Sequence, residues 1–72
     1  MFKEKWCIEI LSDKTGTRGY YAGFIDGKHK LESNHHGALY FNSDVEALAE
    51  MEMNGHEVVQ FCIRKFFHNV NR

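Results

Sequence analysis

The segment from Asn42 to Glu57 restricts the fold more than any other part of this chain, because it carries its own start and stop signals for a helix. It reads N-S-D-V-E-A-L-A-E-M-E-M-N-G-H-E. Ser43 followed three residues later by Glu46 is the pattern of a capping box, in which each side chain satisfies a backbone N–H that the first turn leaves free. Gly55 stands just past the last helical residue, where helices commonly end. Val45, Leu48, Ala49 and Met53 recur at the i, i+3, i+4, i+8 spacing of one apolar face and are expected to pack on the core. Glu46, Glu50 and Asn54 are expected on the opposite side. The segment holds five of the ten acids, Asp44, Glu46, Glu50, Glu52 and Glu57, and no Lys or Arg.

Around this helix the pattern is that of strands. Trp6, Ile8 and Ile10 alternate with Cys7 and Glu9, the period of two expected of a half-buried strand over residues 3–11. The polar cluster from Ser12 to Gly19 is a turn, and Tyr20 to Ile25 reads as the returning strand of an antiparallel hairpin. Asp26-Gly27 favours a tight reversal into a short edge strand over His29 to Glu32. Ser33 to Gly37 reads as loop, and Ala38 to Phe41 as a brief strand leading to the helix. Glu57 to Phe67 is the last strand, with Val59, Phe61 and Ile63 facing the core. The predicted fold class is α+β: a small antiparallel sheet with one helix on one face, in the order β-β-(β)-α-β. Cys7, Glu9, Leu11, Val58, Gln60, Cys62 and Arg64 are expected on the other face, with Tyr20 or Tyr21.

Size and composition narrow the function. Seventy-two residues make one domain, residues 1–72, in which a deep catalytic pocket of roughly 300–1,000 Å³ leaves little room for a core. A non-enzyme is therefore expected. No apolar run reaches the ~18 residues of a membrane span, and the N-terminal stretch lacks an apolar signal region, so a cytoplasmic location is expected. Cys7 and Cys62 are then reduced thiols with a packing role. The five histidines, His29, His35, His36, His56 and His68, do not fall into zinc-ligand spacings, and no metal or other cofactor is expected. The net charge of −1 carries no overall nucleic-acid signature. Charge nevertheless varies along the chain: near neutral to residue 42, acidic over 43–57, basic beyond. Lys14-Thr15-Gly16-Thr17-Arg18-Gly19 lacks the spacing of a phosphate loop and reads as a hairpin connection.

The layout, with Trp6-x-Ile8, Tyr21-Ala22-Gly23-Phe24, Ala38-x-x-Phe41-x-Ser43-x-x-Glu46-Ala47 and Gly55-x-x-Val58, resembles small phage- and prophage-encoded proteins of Gram-positive bacteria. Some anti-CRISPR proteins share this size and build and act by sterically blocking a host nuclease complex. The resemblance implies a host-interaction role and brings no functional residue with it.

The first functional expectation is a non-enzymatic protein-binding module, a phage-encoded inhibitor of a host defence or nucleic-acid-handling complex. Its acidic helix, through Glu46, Glu50, Glu52 and Glu57 with Tyr40 and Met51 as apolar anchors, would meet a host protein with a basic surface. Glu46 and Glu50, one turn apart with no compensating Lys, form a mildly unfavourable like-charge pair, the kind of feature a binding surface tolerates. One alternative is a nucleic-acid-binding domain using Tyr20, Tyr21, Arg64, Lys65 and Phe66, where basic and aromatic residues interleave. The other is a small-ligand or nucleotide-binding homodimer with its site at the subunit interface.

Overall fold

Strands β1 (Phe2–Asp13), β2 (Gly19–Ile25), β3 (Lys28–Glu32) and β4 (Val58–Asn69) form one antiparallel sheet in the order β3-β2-β1-β4. Helix α1 (Asp44–Asn54) sits between β3 and β4 in sequence and packs against β1 and β4. The structure is a computed structural model that describes residues 2–69. The α+β expectation holds, and no helix of the described residues is long and apolar enough to cross a membrane.

Local signals placed most of the elements. Ser43 Oγ accepts the Glu46 amide at 3.1 Å, and Glu46 Oε1 reaches back to the Asn42 amide at 3.2 Å, so the helix start is capped from both directions. Gly55 ends the helix without the left-handed geometry usual there. Its φ is −95°, its N–H donates to Met51 O at 2.8 Å, and a Cβ would stand 2.5 Å from that oxygen. Close approach, not conformation, calls for glycine. Asp26 and Gly27 both take positive φ, 54° and 78°, which makes the two-residue reversal between β2 and β3 a primed turn whose twist suits a hairpin.

The core contains Ile8, Ile10, Tyr21, Ala47 and Met51, ringed by half-buried Phe24, Leu31, Phe41, Val58, Phe61 and Ile63. Two expectations about it are corrected. Val45, Leu48, Ala49 and Met53 do not face the sheet; Val45 and Met53 are 72% and 69% exposed. The helix turns Ala47, Glu50, Met51 and Asn54 inward, an i, i+3, i+4, i+7 set with two polar members. Tyr21 makes this possible: its hydroxyl donates to Glu50 Oε2, which also accepts from Asn54 Nδ2 at 3.0 Å. The small Ala47 lets the backbone approach the sheet. On β4, Val58 packs on the core while Val59 is 65% exposed, the reverse of the alternation. The cause is a pair of register shifts between Ile10 and Asp13, since one extra residue flips every side chain beyond it to the other face.

The segment from Ala38 to Phe41 is not a strand. It makes a single bridge, with Phe41 exchanging backbone bonds of 3.0 and 2.7 Å with Trp6, and Leu39 N–H donating to Tyr21 O at 2.9 Å. It fills the lane that β2 vacates after pairing Tyr20 and Gly19 with β1. From Phe2 to Lys5, β1 ladders only with β4 among the described residues, so the two run on as a ribbon at one end of a molecule measuring 40 × 22 × 21 Å.

Candidate functional site

Strand register sorts the charges by face. Directly paired residues point the same way, so Lys3 with His68, Lys5 with Phe66, Cys7 with Arg64, and Glu9 with Cys62 lie on the sheet face away from α1. Tyr20 and Glu32 join them through their pairings, and Lys30 and Lys28 follow by alternation along β3. Among the described residues that face carries five cations against two acids, and both acids are engaged: Glu9 Oε1 with Arg64 Nη1 at 2.6 Å and Glu32 with Lys30 at 3.6 Å. The helix side holds Asp44, Glu46, Glu50 and Glu52.

At the foot of the ribbon, the basic face has a groove of about 400 Å³ lined by His35, His36, Tyr40, Phe66, Phe67 and His68. A single 3-10 turn, His35–Gly37, delivers the first two; Asn34 Oδ1 caps it by accepting the His36 amide at 2.9 Å. The His35 ring lies nearly parallel on Phe66, centroids 4.2 Å apart and planes 10° apart. His36 leans against His35 at 4.2 Å, and Tyr20 meets it edge-on at 6.2 Å. Tyr40 meets His68 edge-on at 4.5 Å. The Arg64 guanidinium stands 5.9 Å from the Phe66 centroid.

The hydrogen bonds assign the His35 tautomer. Tyr40 gives its one hydroxyl proton to the His35 carbonyl at 2.8 Å, yet His35 Nδ1 lies 2.9 Å from the same hydroxyl oxygen. Nδ1 must therefore be the donor, which leaves Nε2 as a bare acceptor. Partial burial, then the nearby His36, His68 and Arg64, lower the His35 pKa from its ordinary value. Burial likewise raises the Tyr40 phenol.

Neither thiol has the lowered pKa of a reactive cysteine. Cys7 is fully buried and its pKa is pushed up to about 11 by burial, against the pull of Arg64. Burial also raises Cys62, whose Sγ lies 3.8 Å from Glu9 Oε1. Reactive cysteines need the opposite shift. Among the described residues no group of three or more His, Cys, Asp and Glu side chains is placed to hold a metal ion.

A second concavity, about 370 Å³, lies between Asp13, Thr15, Gly27, Lys28, His29 and Glu57. Asp13 is 7% exposed, and its Oδ1 accepts from Thr15 N, Thr15 Oγ1 and Thr17 N at 2.7–2.9 Å while Oδ2 meets His29 Nε2 at 2.9 Å. The Thr15 hydroxyl, then the Thr17 amide and His29, hold the Asp13 carboxyl well below the usual carboxylate range despite its burial. This carboxylate organises the β1–β2 connection and ties it to β3, a structural use of a buried acid.

The residues singled out for protein binding do not form one surface. Glu46, Glu52 and Glu57 are exposed, but Glu50 is half-buried and bonded to Tyr21, and Met51 is a core residue, 7% exposed. Tyr40 belongs to the opposite face. The nucleic-acid set divides too: Tyr20, Arg64 and Phe66 share the basic face, Tyr21 is fully buried, and Lys65 points to the helix side, where its Nζ lies 3.4 Å from Glu4 Oε2. Lys3, Lys5, His35, His36 and His68 were not singled out. The adjacent histidines of a polar loop were the available signal, and only the fold sets them on Phe66.

No family model matches the chain, and no curated protein or solved structure matches it significantly.

Proposed function

We propose that the protein is a non-enzymatic binding module whose outward helix face docks on another protein, with a phage-encoded inhibitor of a host defence or nucleic-acid-handling complex as the role that fits this surface. One observation carries the reading: an apolar stripe stands uncovered on an acidic helix. Val45, Leu48 and Met53 are 72%, 45% and 69% exposed, spaced to line one side of α1. Scattered exposed apolar residues need no explanation, but three on one helix side with Ala49 between them form a patch. Asp44, Glu46 and Glu52 border or interrupt it, and no Lys or Arg lies between Ser43 and Glu57.

The partner such a surface selects has an apolar groove rimmed by Lys or Arg. Amphipathic helices dock in such grooves through apolar anchors about one turn apart, and the charges set approach and register. A surface built to grip phosphates has the same cationic rim, which is why nucleic-acid-handling proteins are the class that fits.

The test is a pull-down from nuclease-treated bacterial extract with the wild type and a Leu48→Ser/Glu52→Lys variant. Both positions point outward, so circular dichroism should show an unchanged fold. Proteins retained by the wild type should be lost from the variant. Retention of the same proteins by both would refute the reading. Glu50 is unsuitable for this test because its carboxylate holds the helix to Tyr21.

A further inference from the structure

We propose that the groove on the sheet face opposite α1 binds single-stranded nucleic acid, taking an unpaired base against its rings and the adjoining phosphates on Lys3 and Lys5. This is independent of the helix surface, which lies on the other side of the sheet.

Three observations converge. The groove is walled by rings, and His36, at its rim, is exposed. Stacking on aromatic and imidazole faces is how single strands are held without base pairing, because every base has a π face. The volume of about 400 Å³ admits a base with its sugar and falls within the range of ligand sites. Cations flank the rings in register. Lys5 pairs with Phe66 and Lys3 with His68, so the ribbon presents a row of cations on β1 beside a row of rings on β4. Lys3 is exposed, and among the described residues the Lys5 Nζ is held only by the Asn42 side-chain oxygen, a neutral partner that a phosphate can replace. Lastly, His35 Nε2 is a bare acceptor in the tautomer that Tyr40 enforces, suited to a base N–H.

Most of the acidic helix packs on the opposite side of the sheet; the exception is Glu46, whose Oε1 bonds the amide of the same Asn42 that holds Lys5, so Lys3 is the cation least affected by the helix. The two acids of the binding face are already paired with Arg64 and Lys30.

The experiment is fluorescence anisotropy with a labelled fifteen-nucleotide oligothymidylate, at 50 and 200 mM salt. Two phosphate contacts to a single strand give a slope near −0.7 per contact, so the affinity should fall about seven-fold over that range. The double change Lys3→Gln/Lys5→Gln should flatten the slope to near zero. His36→Ala, an exposed position that leaves the core untouched, should weaken binding about five-fold or more. An abasic oligonucleotide should bind at least as much more weakly, and the Leu48→Ser/Glu52→Lys helix variant should bind like the wild type. The inference is overturned if no binding is seen at 50 mM salt with 100 μM protein, or if the abasic strand binds equally. It is also overturned if a free mononucleotide competes as tightly as the strand, since the ribbon cations would then have no role.

Discussion

Replacing Met51 and Met53 separately by alanine tests which way the helix faces. The two side chains are chemically identical and two residues apart, yet Met51 is 7% exposed against Ile8, Ile10 and Tyr21, while Met53 is 69% exposed. Removing a buried methionine side chain costs its transfer free energy plus the cavity left behind, about 2–5 kcal/mol. At the edge of a small core, with half-buried neighbours able to relax into the gap, a value of about 3 kcal/mol is expected. A chain of this length has a total stability of only about 4–11 kcal/mol, so Met51→Ala removes a large share of it. With an unfolding entropy of about 2.1 cal/mol/K per residue, the loss corresponds to a fall in Tm of about 20 °C. Met53→Ala empties no cavity and puts a better helix former on the surface, so its effect should stay within about 0.5 kcal/mol. Thermal and urea unfolding followed by circular dichroism measure both, with the urea m-value checked for constancy. Comparable losses at the two positions, or a larger loss at Met53, would mean that the helix is rotated, and with it the docking stripe.

Tyr21→Phe and Glu50→Gln test the bond that fixes that rotation. Each should cost on the order of 1–2 kcal/mol, and a double-mutant cycle should show a coupling of similar size; independent effects would contradict a hydrogen bond to an ionised group. Asp13 predicts an acid limb of stability. Its folded pKa is depressed, so between that value and the unfolded value of about 3.9 the unfolded chain binds the extra proton, and stability is lost as pH falls below about 4. Urea midpoints between pH 2.5 and 6 should show this limb, and Asp13→Asn should lower the plateau and flatten the limb.

What was legible in the sequence was local. Ser43, Glu46 and Gly55 delimit the helix, and Asp26-Gly27 makes its turn, because each depends only on backbone groups a few residues away. The helix face was not legible. Apolar residues at 45, 47, 48, 49, 51 and 53 surround most of the helix, and the buried set includes Glu50 and Asn54, which no hydrophobic pattern selects. Their burial depends on a tyrosine hydroxyl 29 residues away from Glu50. Val58 and Val59 exchanged faces for a similar reason, since the bulge that flips them lies in the pairing with β1.

The candidate sites divide the same way. The helix segment's acids and lack of Lys or Arg are facts of sequence, as are its apolar residues; that the apolar ones stand uncovered is a fact of packing. The groove belongs wholly to the tertiary structure. Its rings come from a 3-10 turn, the segment before the helix and the last strand, and the lysines that flank it from the first strand.

Capping, turn chemistry and strand periodicity determined the α+β class and the place of the helix and the four main strands from sequence alone, because those forces act within a few residues along the chain. Which face of α1 is buried, and that the sheet separates an acidic side from a basic, ring-lined one, was decided only on folding. The first depends on the bond between Tyr21 and Glu50, the second on register and on pairings such as Lys3 with His68 that bring the two ends of the chain together.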